Sequence, residues 1–275
     1  MSGTAWLASY PKSGNTWVRA LIHALNHGGI DFLADLREVH PGDGMQPIPG
    51  VPMSDLSDAE ALQMLRLGWQ LAEQRSPSIV PRKTHQAWTP AADGYSTRWL
   101  PGGGRAIYIV RDPRAVAVSF AHHLGWSHTD TVAAMGREDE MFRPIHKAHG
   151  GFHPLSWSGH VRSWTRQQEV PVTVVRYEDL VADPHQQLVR IAAAMDIVAS
   201  LDQIDLAVEA CAFTMLVARE SIEGFAEAPS IHKAFFRKGT VDSWIDELDP
   251  SLSDRIVAEH GEVMREFGYL PEYRD

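Results

Sequence analysis

Within the six residues Pro11-Lys12-Ser13-Gly14-Asn15-Thr16 the chain places an ammonium, a glycine and three polar side chains. The apolar run Ala5 to Tyr10 precedes them, and a helix-like pattern starting at Thr16 follows. That order describes a strand, a tight loop and the N-terminus of a helix. A helix N-terminus presents unpaired backbone N–H groups and a partial positive charge. Lys12 adds a full charge, and Ser13, Asn15 and Thr16 add hydrogen-bonding groups. The chemistry this suits is the holding of a phosphate-like anion. The nucleotide-triphosphate loop G-x-x-x-x-G-K-[ST] is a different pattern, because here Lys12 precedes Gly14 and no earlier glycine lies at the required distance. A Lys-Ser-Gly turn can also simply open a surface helix.

Three further groups stand out. Arg111-Asp112-Pro113 follows the apolar run Ala106 to Val110, and Ser119 comes eight residues after Arg111. Arginine suits a terminal phosphate through its paired N–H donors, although Arg111-Asp112 could equally be a surface ion pair of little energetic value. Lys83-Thr84-His85 follows a short strand-like segment, and Arg237-Lys238-Gly239 forms a basic turn near the C-terminus. Lysine is scarce, at positions 12, 83, 147, 233 and 238 only, and three of these fall in the groups just named. Histidines 122, 123, 128, 146, 149, 153 and 160 are numerous, but none forms H-E-x-x-H and the one cysteine, Cys211, lies elsewhere. No metal is expected from them.

The string Ser9-Tyr10-Pro11-Lys12-Ser13-Gly14-Asn15-Thr16-Trp17 closely resembles the 5′-phosphosulfate loop, T-Y-P-K-S-G-T-T-W, of the PAPS-dependent sulfotransferases (PAPS is 3′-phosphoadenosine 5′-phosphosulfate). The other groups resemble that family's motifs in the same order. The resemblance implies that Arg111 and Ser119 grip the 3′-phosphate, and that Lys83 sits beside the transferred sulfonate. It gives His85 the role of general base. Arg237, Lys238 and Gly239 match the R-K-G-x-x-G-D-W-K segment that closes over the 3′-phosphate, with Trp244 also matching. Asp242, Ser243 and Ile245 depart from it, which leaves the later path of that loop open. Trp17, Tyr177 and Phe213 fit the family's adenine-stacking positions, each of which could also be a core aromatic. The implied reaction is in-line transfer of a sulfonate from PAPS to a hydroxyl or amine of a small-molecule acceptor, such as a phenol or secondary metabolite, with PAP as product. Lys12 would stabilise the leaving oxygen, and Ser119 would hold Lys12 aside until the acceptor arrives. Two other readings stay open: a nucleotide-dependent kinase on a related phosphate-binding fold, and a PAP-binding protein without activity. An aryl sulfate donor would not need a 3′-phosphate site.

The elements that must position these residues alternate. Strands are expected at 5–10, 78–84, 106–110 and 172–176, and helices at 16–26, 58–74, from Pro113, at 155–168, over most of 186–219, and at 251–267. Residues 38–56 read as a Pro- and Gly-rich loop and 125–155 as the least regular part. Alternation implies an α/β fold, a central parallel sheet flanked by helices, in one domain over 1–275, and the resemblance implies the P-loop-like nucleotide-binding fold of the sulfotransferases. In such sheets ligands sit at the carboxyl ends of strands, where the loops 11–16, 83–85, 111–112 and 177–179 are expected to fall. Segments 31–56, 86–100 and 125–155 are expected to line the acceptor pocket, and Trp88, Trp126 and Trp157 suggest a bulky, partly apolar acceptor, although core packing would explain them as well. A net charge of −10 argues against a nucleic-acid or other polyanion partner. No apolar run reaches membrane-spanning length, no leader pattern is evident, and a single cysteine fits a reducing compartment, so a cytoplasmic protein is expected. Oligomeric state is not legible.

Overall fold

The computed structural model describes residues 3–30, 33–36, 56, 60, 79–88, 104–140, 142, 152–225, 227–228 and 234–271. Four strands, β1 (Gly3–Ser9), β2 (Ile79–Thr84), β3 (Arg105–Val110) and β4 (Val172–Arg176), form one parallel sheet in the order β2-β1-β3-β4. The chain leaves β1 to add β2 on one side, then returns to add β3 on the other. That reversal opens a crevice at the carboxyl end of β1, the usual ligand position in such sheets.

Alternation along the strands divides the molecule into two cores. Ala5, Leu7, Ile107 and Ile109 face one side and pack with α1 (Asn15–His27), α6 (Pro184–Ala194) and α7 (Leu201–Ala210). Trp6, Ala8, Tyr108 and Val110 face the other and pack with α2 (Pro113–Leu124), α3 (His128–Met135), α4 (Trp157–Thr165) and α10 (Pro250–Glu266). Both faces are covered, as parallel strands require. Among the described residues there are also α5 (Tyr177–Ala182), α8 (Phe213–Glu223), the single turn α9 (Trp244–Glu247) and a 3-10 turn at Leu33–Leu36.

Helix ends follow local chemistry. Asp112 caps α2 by accepting from the Arg114 N–H at 2.9 Å, with Pro113 in the first helical position. The irregular reading of 125–155 missed α3. Its start is marked by Ser127, which caps Asp130 N at 3.1 Å and donates to the Asp130 carboxylate at 2.6 Å, a reciprocal pattern akin to a capping box. The expected helix 58–74 and loop 38–56 lie, apart from residues 56 and 60, outside the described residues.

Candidate active site

Register alone brings the motifs together. Ala8 pairs with Thr84, Ser9 with Ile109, and Val110 with Arg176. The residues that follow, Tyr10, His85, Arg111 and Tyr177, therefore emerge side by side at the carboxyl end of the sheet.

The loop after β1 turns through two left-handed residues, Lys12 at φ 65° and Gly14 at φ 104°. Gly14 is needed for a second reason. A Cβ there would sit 2.6 Å from the Tyr177 ring, so the close approach of loop and aromatic depends on the missing side chain. Gly14 caps α1 without a side-chain hydrogen bond, which leaves the helix N-terminus to its backbone donors. Ser13 is buried and its hydroxyl has no partner. Two expected anion contacts are directed elsewhere. The Asn15 amide donates to Leu7 O at 2.7 Å and lies 3.3 Å from Ser9 Oγ, bracing the loop against β1. The Thr16 hydroxyl accepts from Arg19 at 3.1 Å and reaches the Glu227 carboxylate at 3.5 Å.

Arg111 joins distant parts of the chain. Its guanidinium donates to Lys12 O and to Thr240 O, both at 3.1 Å, and lies 4.2 Å from the centre of the Tyr177 ring. Its Nε–H is buried without a partner. Ser119 lies half-buried on α2. Trp17 meets Tyr177 edge-on at 5.9 Å, and its indole N–H donates to Cys211 O at 3.0 Å. Phe213 begins α8 directly beneath Gly239, whose φ is 66° and whose added Cβ would lie 2.5 Å from the phenyl ring. Arg237 and Lys238 are both paired with Glu247, at 2.6 Å and 2.9 Å. The basic turn thus carries its own counter-ion, which the motif did not announce.

Lys12 Nζ stands 3.9 Å from the centre of the Phe235 ring. Burial and then the neighbouring Lys83 charge lower its pKa from 10.5 to about 7, with Glu227 opposing and Arg111 adding to the fall. His85 is held at Nδ1, 2.8 Å from Ser9 O and 3.3 Å from Ser9 Oγ. A carbonyl can only accept, so Nδ1 carries the proton and Nε2 is the acceptor atom. Burial, followed by the Lys83 charge, drives the His85 pKa well below 6.5, so the ring is neutral near pH 7. Behind it, the Trp164 indole donates to Gln86 O at 2.9 Å, and the Ala87 N–H to His153 O at 3.1 Å, fixing the segment that leaves β2.

An aromatic row runs outward from His85. Its ring lies 5.6 Å from Phe152, which stacks on Phe142 at 5.5 Å, and Phe142 in turn lies 6.1 Å from Trp126. Phe142 and Phe152 exchange backbone hydrogen bonds of 3.0 and 2.9 Å in an isolated antiparallel bridge. Of the tryptophans named from sequence, Trp88 and Trp157 are core residues and Trp126 is exposed.

Sequence reasoning missed Arg19, Glu220 and Glu227. Glu227 pairs with Arg19 at 2.7 Å and with Lys83 at 3.3 Å. These cations bring its pKa down to about 2 despite burial. Glu220 accepts from the Phe236 N–H at 2.9 Å and so fixes the segment that carries Phe235. His123 packs edge-on against Phe235 at 6.2 Å, with its pKa lowered to about 3 by burial and then by Lys12 and Lys83. Arg19, Glu220 and Glu227 are long-range partners with no local motif to mark them.

Comparison with known proteins agrees with this architecture. Residues 3–268 match the family model of the Sulfotransferase domain. Sulfotransferase 1B1 of Canis lupus familiaris is 26% identical over 247 residues, covering 86% of this chain and 75% of that protein. Cytosolic sulfotransferase 13 of Arabidopsis thaliana is 26% identical over 259 residues, covering 91% and 73%. The fold is shared with mouse sulfotransferase SULT7A1 complexed with PAP, at a TM-score of 0.61 and 21% identity, over 96% of this chain and 85% of that one. It is also shared with retinol dehydratase in a complex with retinol and PAP, at a TM-score of 0.63 and 19% identity, over 98% and 83%. A sheet whose strand ends assemble the Lys12 loop, Arg111 and His85, in a chain matched by that model almost from end to end, belongs to the sulfotransferase family.

Proposed function

We propose that the chain transfers a sulfonate from PAPS to a hydroxyl or amine of a small, largely apolar acceptor, with His85 as the general base. The observation that carries this reading is the His85 tautomer. Ser9 O holds the Nδ1 proton at 2.8 Å, which leaves the ring's lone pair on Nε2 as the atom that can take a proton. A base of this kind contributes roughly 100- to 10,000-fold to such a reaction.

The residues around the β1 loop suit the donor. Ser13 Oγ and Arg111 Nε–H are buried without partners, and a buried polar group left unpaired costs about 1–3 kcal/mol. An anion in the crevice would relieve that deficit. Lys12 and the α1 N-terminus would hold the 5′-phosphosulfate, Arg111 and Ser119 the 3′-phosphate, and Trp17, Tyr177 and Phe213 the adenine. When bound, PAPS supplies the sulfonate for in-line displacement. Lys12 then answers the negative charge that grows on the departing oxygen, an interaction strongest in the transition state. Lys83 lies beside His85 and steadies the sulfonate oxygens. Arg237, Lys238 and Gly239 close the 3′ end, with Glu247 setting their resting position. The row Phe152, Phe142 and Trp126 supports a flat acceptor such as a phenol, its hydroxyl toward His85. A buried lone Cys211, its thiol pushed up to about 12 by burial, supports a cytoplasmic setting.

Thermal shift tests the donor. PAP should raise Tm by mass action, and 5′-AMP, which lacks the 3′-phosphate, should do so far less. Arg111→Ala should remove most of the difference. Equal stabilisation by the two nucleotides would refute the 3′-phosphate assignment. Incubation with labelled PAPS and a panel of phenols should then yield labelled sulfate ester.

A further inference from the structure

Glu227 stands among the groups assigned to the donor. One oxygen lies 2.7 Å from Arg19 Nη2, the other 3.3 Å from Lys83 Nζ and 3.5 Å from the Thr16 hydroxyl. Thr16 and Arg19 belong to the first turns of α1, and Lys83 to the end of β2. Glu227 follows α8 and approaches them from a third direction. Its charge also reaches Lys12, His85 and His123. A carboxylate held at a helix N-terminus between a hydroxyl and an ammonium makes the same contacts that a phosphate or sulfonate would make there.

We propose that Glu227 is a resident anion of the donor cradle: it holds Thr16 and Lys83 when the donor is absent, must yield them to the incoming 5′-phosphosulfate, and reclaims them as product leaves. This rests on the donor reading above. The consequence is deliberate weakening of nucleotide binding at the 5′ end alone. The four cationic groups Lys12, Arg19, Lys83 and Arg111 would otherwise bind a doubly phosphorylated product tightly enough to slow its release. A resident carboxylate offsets part of that attraction. Its pairs with Arg19 and Lys83 are only about one-fifth exposed on the carboxylate side, so water screens them little. A salt bridge that merely tied the segment after α8 to α1 would leave nucleotide affinity unchanged or, if the loop loosened, weaken it.

The test is calorimetric titration of the full chain and of Glu227→Gln with PAP, 5′-AMP and adenosine 3′-phosphate. Glu227→Gln should bind PAP and 5′-AMP about tenfold more tightly, the size of one charge acting across a partly solvated site. Adenosine 3′-phosphate, which has no group for the Glu227 position, should gain less than twofold. Glu227→Asp, which keeps the charge but shortens its reach to Lys83 and Thr16, should show a smaller gain confined to the same two ligands. It decides the matter if the glutamine variant does not fold. Parental PAP affinity in both variants, or an equal gain for all three ligands, would overturn the proposal and leave the donor reading intact. No PAP binding by the unaltered protein would sink the donor reading, and this inference with it.

Discussion

Lys12 offers the sharpest test, because its charge is conditional. Burial and the adjacent Lys83 bring its pKa to about 7, so near neutral pH only about half the molecules carry the charge that the anion site needs. A bound nucleotide phosphate favours the charged form, so binding takes up a proton. Above the pKa the apparent affinity falls by the fraction of Lys12 still charged. Between pH 7 and pH 9 that fraction drops from about one-half to about one-hundredth, a loss of roughly 50-fold in PAP affinity. The second phosphate pKa, near 6, lies below this window and does not mask the fall. Calorimetry at pH 7, 8 and 9 in two buffers of different ionisation heat gives affinity and proton uptake together. Uptake should approach one proton per PAP near pH 9. Lys12→Met should bind weakly and without pH dependence. Unaltered protein whose PAP affinity is flat to pH 9, with no proton uptake, would refute the argument that Lys12 is both perturbed and in the anion site. A linked sign follows for stability. A lysine whose folded pKa is depressed costs stability fully below about pH 7 and progressively less as pH rises toward 10.5. Lys12→Met should therefore melt higher than the parent at neutral pH, and the gap should narrow as pH rises.

Other perturbations have similarly direct readouts. His85→Asn should lower turnover about 100-fold or more with PAP binding nearly unchanged; a folded variant with near-parental turnover would move the base elsewhere, with His123 the next to examine. Gly14→Ala places a methyl 2.6 Å from the Tyr177 ring at φ 104°, and should cost about 1–3 kcal/mol in urea unfolding and weaken PAP more than fivefold. His123, His160 and His260 have pKa values lowered to about 3, 3 and 4, and His85 lies well below 6.5, in each case chiefly by burial. Stability should therefore fall as pH drops below 6.5, with about three to four protons taken up on unfolding near pH 5; a urea midpoint that stays constant from pH 7 to pH 5 would contradict those burials.

What could be read from the chain alone is what depends on near neighbours. The Lys12 loop, the strand ends at Ser9, Thr84, Val110 and Arg176, and the Asp112-Pro113 helix start are each specified within a few residues by apolar runs, capping chemistry and a required glycine. Because parallel strands align at their carboxyl ends, recognising the strands was enough to expect the motifs that follow them at one end of the sheet. The short α3 was missed although Ser127 and Asp130 mark it, since eight residues among histidines and glycines give little periodicity to read. Tertiary structure decided which polar group meets which. Asn15 turns its amide back to Leu7 O, Arg111 bridges Lys12 O and Thr240 O, and Arg237 and Lys238 share Glu247. Glu227 reaches Arg19 and Lys83 from 208 and 144 residues away. The physical reason is that a buried side chain takes whatever partner packing sets opposite it. That partner belongs to another element, so its identity is fixed by how the helices settle on the sheet and by no pattern in the flanking sequence.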